Sequence, residues 1–426
     1  MSDSETSAGP IQGTSALLGP RARHWFARGV WAVLDQGLFA ASNFGLTIAL
    51  ARLLGPQDFG SFAAASSLHA LTISLHAASI VEPMVVFSAG HLERRAFTQY
   101  LAKHTRRHWK FAIAAAMILA LVGLVLRVLD NPLSGPLLAF GLAEPLLLFQ
   151  GLLRRACYVI DTPRLAALAT GQYAVLVVVG ALFLNQLGLL SAAVVPLIIA
   201  GASIGPAYIL AKRLGLIPLK GTSSKGPLHN GLDSYSRWST ASAMLTWFPG
   251  NAPTLILPIW WGLESAASFR ALLNLFLPIM QFNTAIGGLV LPHLVRAGNR
   301  YSRKQAVARL AIGLGIGPLA YWAVVSLIRE PALRLAYGET YLDVARLVPM
   351  MGLVPIVAAV TSAFANSHKA MQRPELVFGG YLASSLVALF WGALLIYRLG
   401  VGGAVTGWLV AYLVAAIVMA FRLGRS

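Results

Sequence analysis

Arg270, Asn274 and Gln281 share an apolar run, Ala266–Leu294, and their side chains could do chemistry together. At about 100° per residue of an α-helix the asparagine falls about 40° and the glutamine about 20° from the arginine, so the three occupy one face. A permanent cation beside two amides suits a ligand carrying both phosphate and sugar. Guanidinium grips phosphate oxygens with two prongs, and amides bond hydroxyls. The competing reading lets Arg270, a turn from the outer end of its run, reach for the interface or pair with an acid.

Acidic residues inside apolar runs need a reason as well, because a charge there costs about 2.5–3.5 kcal/mol on insertion scales. Asp35 lies on the same side of its run as Ser42 and Asn43. It could be a proton or cation site, the partner of a cavity arginine, or an acid held near a helix N-terminus by the helix dipole. Glu82 and Glu144 each precede a proline, where a bend frees carbonyls, so either could hold a coupling ion. Glu82 also suits a capping or bend-stabilising role. His69, Thr72 and His76 form a stripe that either lines a cavity or bonds a neighbouring helix. Trp238, Trp247, Trp260 and Trp261 either stack on sugars or belong to the interfacial belt. The cationic loop Arg94–Lys110 could gather anionic head groups, although topology alone accounts for its charge. No metal-ligand cluster, phosphate-cradling glycine loop or nucleophile–base spacing occurs. The longest outer loop, Arg329 to Asp343, is too small to house much chemistry. Neither an enzyme, a cofactor nor a metal is expected.

The elements that position these residues follow from composition. Of 426 residues 57% are hydrophobic and 11% charged, whereas a soluble domain carries about a quarter charged. Apolar runs of roughly 20 residues, enough to cross a hydrocarbon core about 30 Å thick, recur from Gly29 to Phe421. They lack the alternation of barrel strands, and lipid admits only helices or closed barrels. The expected fold is an all-α polytopic membrane protein of about twelve transmembrane helices, with Pro83, Pro278 and Pro292 able to bend the longest.

With the N-terminus inside, the basic residues sort cleanly. Arg94–Lys110, Arg154, Arg155, Arg164, Lys212–Arg237, Arg296–Arg309, Lys369, Arg373, Arg422 and Arg425 fall in cytoplasmic segments. Arg52, Arg127, Arg329, Arg334, Arg346 and Arg398 fall outside. The positive-inside rule then puts both termini in the cytoplasm and explains the net charge of +18 without nucleic acid. Cys157 is the single cysteine, so no internal disulfide is possible.

The chain also repeats. Gly55, Gly60, Ser61 and Phe62 recur as Gly262, Ala267, Ser268 and Phe269; Pro163-Arg164-Leu165 is echoed by Pro374-Glu375-Leu376, and Arg213-Leu214-Gly215 by Arg422-Leu423-Gly424. An even number of helices per repeat inserts both halves the same way up, related by an axis along the membrane normal. The expected organisation is a disordered cytoplasmic tail (residues 1–28), a six-helix lobe (29–211), a cytoplasmic linker (212–234) and a second, parallel six-helix lobe (235–426).

Ala51 to Gly60 reads Ala-Arg-Leu-Leu-Gly-Pro-Gln-Asp-Phe-Gly. Taken with Asp35-Gln36, Asn43-Phe44, Glu82-Pro83-Met84, Arg237-Trp238, Phe269-Arg270-Ala271, Pro292 and Arg373-Pro374, in that order, the chain resembles a bacterial polysaccharide flippase. That family belongs to the multidrug/oligosaccharidyl-lipid/polysaccharide exporter superfamily. The resemblance implies alternating-access translocation of a polyprenyl-diphosphate-linked oligosaccharide across the inner membrane, with membrane lipids, a polysaccharide polymerase and export machinery as partners. On that basis Arg270, Asn274, Gln281 and Asn43 would bind the head group, and Asp35, Glu82 and Glu144 would supply ion coupling or cavity charge. The alternatives are a drug/cation antiporter of the same superfamily and, less favoured, a polymerase or glycosyltransferase.

Overall fold

The computed structural model describes residues 20–88, 94–217, 232–296, 300–370 and 374–425, and all their regular structure is helical. The N-terminal half comprises α1 (Pro20–Leu53), α2 (Pro56–Ser88), α3 (Arg94–Val128), α4 (Ser134–Val159), α5 (Pro163–Gln186) and α6 (Val194–Arg213). The C-terminal half comprises α7 (Leu232–Trp261), α8 (Leu263–Arg296), α9 (Arg300–Leu327), α10 (Leu342–His368), α11 (residues 374–399) and α12 (residues 401–425). Proline opens α2 and α5, where its missing N–H costs nothing.

Among the described residues nine helical stretches are long and apolar enough to cross a membrane. One of them, Glu375–Leu423, has 49 residues, or about 73 Å of helix, more than twice a hydrocarbon core. It turns back at Gly400, whose φ of 57° and ψ of −129° are readily available only to glycine. Divided there, the apolar stretches number ten among the described residues, and α7 and α9 are two further long helices. A short helix, Arg329–Tyr337, leaves α9 at 82°.

Several boundaries differ from expectation. The basic stretch Arg94–Lys110 is not a loop but the inner extension of α3, a continuous 35-residue helix. Nothing in it breaks a helix, and Phe97, Leu101, His104 and His108 recur at helical spacing to bury one face while the cations take the other. The first helix begins at Pro20, ahead of Gly29. The rest of the expected tail and most of the linker lie outside the described residues. The bend expected near Pro83 is a π-helical turn, Ala77–Val81, just before Glu82. Proline disrupts the helical hydrogen bonds one turn back, which is where this widening falls.

The two halves use one packing scheme. In the first, α3 packs on α4, α4 on α6, α5 on α6 and α1 on α5; in the second, α9 packs on α10, α10 on α12, α11 on α12 and α7 on α11. The halves are therefore two lobes of one duplicated plan, and they meet where α2 packs on α7 and α8, and α1 on α8. At the end that the charge distribution assigns to the outside, α2 and α8 start almost in contact. A methyl group at Gly60 would lie 1.9 Å from the Leu263 carbonyl oxygen, so only glycine fits.

Candidate functional site

Helix α8 packs on α1 and α2 across the seam and on α7, α9 and α10 of its own half. Asn274 is fully buried with the Tyr337 hydroxyl beside its amide, and the Nε of Arg270 is sealed and unpartnered. Among the described residues no carboxylate pairs with Arg270. Beside both lies Tyr337 of the short outer helix, whose hydroxyl donates to the Ala271 carbonyl at 3.2 Å. Gln281 is exposed farther along α8 towards the inner end. The structure thus unites Arg270 and Asn274 beneath the outer closure and leaves Gln281 in the open. Asn43 does not join them, because its amide donates to the Phe39 carbonyl of its own helix at 2.8 Å.

The acids lie in the other lobe. Asp35 is fully buried and accepts from Arg154 at 2.9 Å, from the Tyr158 hydroxyl at 2.5 Å and from Thr170. Arg154 also lies 4.2 Å from the Phe39 ring centroid, over the ring. Arg154, near the end of α4, is thus buried against Asp35 rather than solvated. Glu144, also fully buried, bonds His69 Nδ1 at 2.7 Å and accepts from the Thr72 hydroxyl. His76 Nε2 meets His108 Nδ1 at 3.0 Å. The histidine stripe therefore bonds neighbouring helices inside the N-terminal lobe.

Among the described residues, four tie the seam with polar contacts, one of them Ser236 of α7, which donates to the Ser79 carbonyl of α2 at 3.3 Å. Glu82, exposed near the inner end of α2, accepts from Tyr235 at 2.9 Å and Ser239 at 2.5 Å, both on α7. Trp247 donates to the Ser67 carbonyl at 3.0 Å and is buried there, unlike the exposed Trp238, Trp260 and Trp261. At the outer end Arg52 donates to the carbonyls of Leu335 and Ala336, in the last turn of the short helix, where a cation suits the dipole.

Arg154, Tyr158 and Tyr337 were missed as site residues, although each left a signal. Arg154 and Tyr158 are four apart on one face of α4, opposite a carboxylate in need of a counter-charge. Leu333, Tyr337 and Tyr341 recur every fourth residue in a segment read as a loop, and all three are buried.

No protein-family model matches the chain, and no curated protein matches it. Solved structures do. A multidrug resistance MATE family transporter of the MOP superfamily, in an inward-facing conformation, aligns at TM-score 0.67 and 12% identity over 92% of this chain and 98% of its own. The lipid II flippase MurJ, in an inward closed conformation, aligns at TM-score 0.70 and 10% identity over 94% of this chain and 87% of its own. This chain has the MOP transporter fold. A third MOP structure, from Pyrococcus furiosus, aligns at TM-score 0.64 and 13% identity over 94% and 96% of the two chains; reverse polarity of its binding pocket was taken to suggest a different function. One fold thus serves a drug exporter and a lipid flippase, and side chains rather than the MOP architecture must choose the cargo.

Proposed function

We propose that the protein is a bacterial inner-membrane transporter that passes a polyprenyl-diphosphate-linked oligosaccharide from the cytoplasmic to the periplasmic face by alternating access. Both termini are cytoplasmic in this reading. The two lobes rock about the seam, the diphosphate and sugars travel along the polar face of α8, and the lipid tail stays in the bilayer. A polysaccharide polymerase and export machinery would take the product onward.

One observation carries the reading: the sealed guanidinium of Arg270, beside Asn274 on a helix that packs at the seam, keeps a buried Nε without a partner and pairs with no described carboxylate. An orphaned polar atom in an apolar interior costs about 1–3 kcal/mol on mutational scales, so the arrangement favours an occupant that supplies the missing bonds. An anion bearing hydroxyls does so. The drug-cation alternative would draw on an acid without a cationic partner; Asp35 is held by Arg154 and Glu144 by His69, which leaves Glu82, bonded to two hydroxyls.

The test is Arg270→Ala in sealed inner-membrane vesicles loaded with lipid-linked glycan. Presentation of the head group on the periplasmic face should fall about tenfold or more, the equivalent of ~1.4 kcal/mol or more. Unchanged presentation, with cationic-dye export intact, would overturn the reading in favour of the antiporter.

A further inference from the structure

Helix α3 has 35 residues, about 52 Å, which exceeds a bilayer of about 40–45 Å with its head groups. Its apolar part, Phe111–Val128, makes about 27 Å of that and matches the hydrocarbon core; the surplus, Arg94–Lys110, runs on at the inner end without a break. One side stays uncovered along both parts. At about 100° per residue, Ile113, Met117, Leu121, Leu124 and Val128 fall within about 80° of one another, opposite the buried Ala115 and Leu119, and all five are exposed. Continued towards the inner end, the same side carries Arg95, Arg106 and Lys110, which are exposed too.

The face that meets lipid tails therefore turns cationic where the tails end. Lys110 stands at that boundary and Arg106 about 6 Å below it, within a head-group layer about 5–8 Å deep. Trp109 is beside them, 41% exposed, with its ring centroid 5.5 Å from that of Phe149 on α4, the ordinary station of an interfacial tryptophan. Lys103 and Arg107 have interactions of their own, and Arg94 opens the helix on a different side. Charge sorting requires only that such cations lie inside. It does not require them to continue the lipid-facing stripe.

We propose that Arg106 and Lys110, with Trp109 beside them, form a binding site for the head group of an anionic phospholipid of the inner leaflet. The acyl chains lie along Ile113 and Met117, and the phosphate reaches the two cations. The guanidinium takes phosphate oxygens with two prongs, and the ammonium adds a point charge. An anionic head group gains from both, whereas a zwitterionic one brings a cation of its own and gains less.

The site is independent of the cargo, and so is its test. In a Cys157→Ser background, Ile113→Cys carries a fluorophore, and the full chain is reconstituted in phosphatidylcholine nanodiscs holding a graded share of phosphatidylglycerol. Bromine on the acyl chains of one lipid or the other quenches the label in proportion to that lipid's occupancy beside it. With the stripe intact, phosphatidylglycerol should be favoured about tenfold, roughly what two cations near the surface supply after screening. Arg106→Gln with Lys110→Gln should reduce the preference to about twofold or less. Arg155→Gln with Arg164→Gln, the same loss of charge at exposed positions of α4 and α5, should leave it above about fivefold. Arg95→Gln should do the same, because Arg95 lies about 22 Å below Lys110. Equal quenching by both lipids with the stripe intact, a preference that survives Arg106→Gln with Lys110→Gln, or one lost as fully in Arg155→Gln with Arg164→Gln would overturn the proposal.

Discussion

The two lobes share a packing plan but treat their polar residues in opposite ways. In the N-terminal lobe every buried acid is engaged: Asp35 by Arg154, Tyr158 and Thr170, and Glu144 by His69 and Thr72. In the C-terminal lobe α8 carries a cation and an amide that no described carboxylate answers. Duplication supplies the scaffold twice, and divergence leaves one copy with its described buried acids paired and the other with a buried cation that no described carboxylate pairs. The first arrangement holds helices together. The second favours a visitor.

The contrast breaks most visibly at Arg154. Arg154→Leu strands a fully buried Asp35, and unfolding followed by heat in detergent should show a loss of about 3–5 kcal/mol. The double variant Asp35→Asn with Arg154→Leu removes both charges and should recover most of that loss; equal destabilisation in the single and double variants would mean that the pair is not acting as one.

A smaller effect is expected at the outer seam. Gly60→Ala drives a methyl group into the Leu263 carbonyl and should disfavour the closed outer end by about 1–3 kcal/mol. Cysteine-labelling rates at the outer ends of α2 and α8 should rise accordingly, with secondary structure unchanged.

Smaller still is Arg52→Ala. Its hydrogen bonds to Leu335 and Ala336 are exposed, so closure should weaken by only about 0.5–1.5 kcal/mol. The same labelling assay would register a faint opening, and a larger response than that of Gly60→Ala would reverse this ranking of the seam contacts.

Much of the architecture was legible because lipid leaves few options. Run length and the echoed Gly55–Phe62 and Gly262–Phe269 segments point to an all-helical chain and to the duplicated lobes. The charge rule counts Arg154 near a span end and is blind to the buried acid that draws it inward. The stretch Arg94–Lys110 was read as a loop because charge was weighed above helical periodicity. At the site, the common face of Arg270 and Asn274 was readable from their spacing. Tyr337 was hidden in an apparent loop, and the bond of Asn43 to the Phe39 carbonyl is a matter of local backbone geometry that spacing does not show.

The account rests on Arg270 serving a ligand rather than the fold. The most direct measurement is made on Arg270→Leu, with thermal stability and glycolipid translocation recorded on the same preparation. Stability should hold within about 1 kcal/mol of the wild type or rise, because no described carboxylate is left uncompensated when this cation goes, while translocation fails. A loss of stability like that of Arg154→Leu, together with intact translocation, would contradict the account.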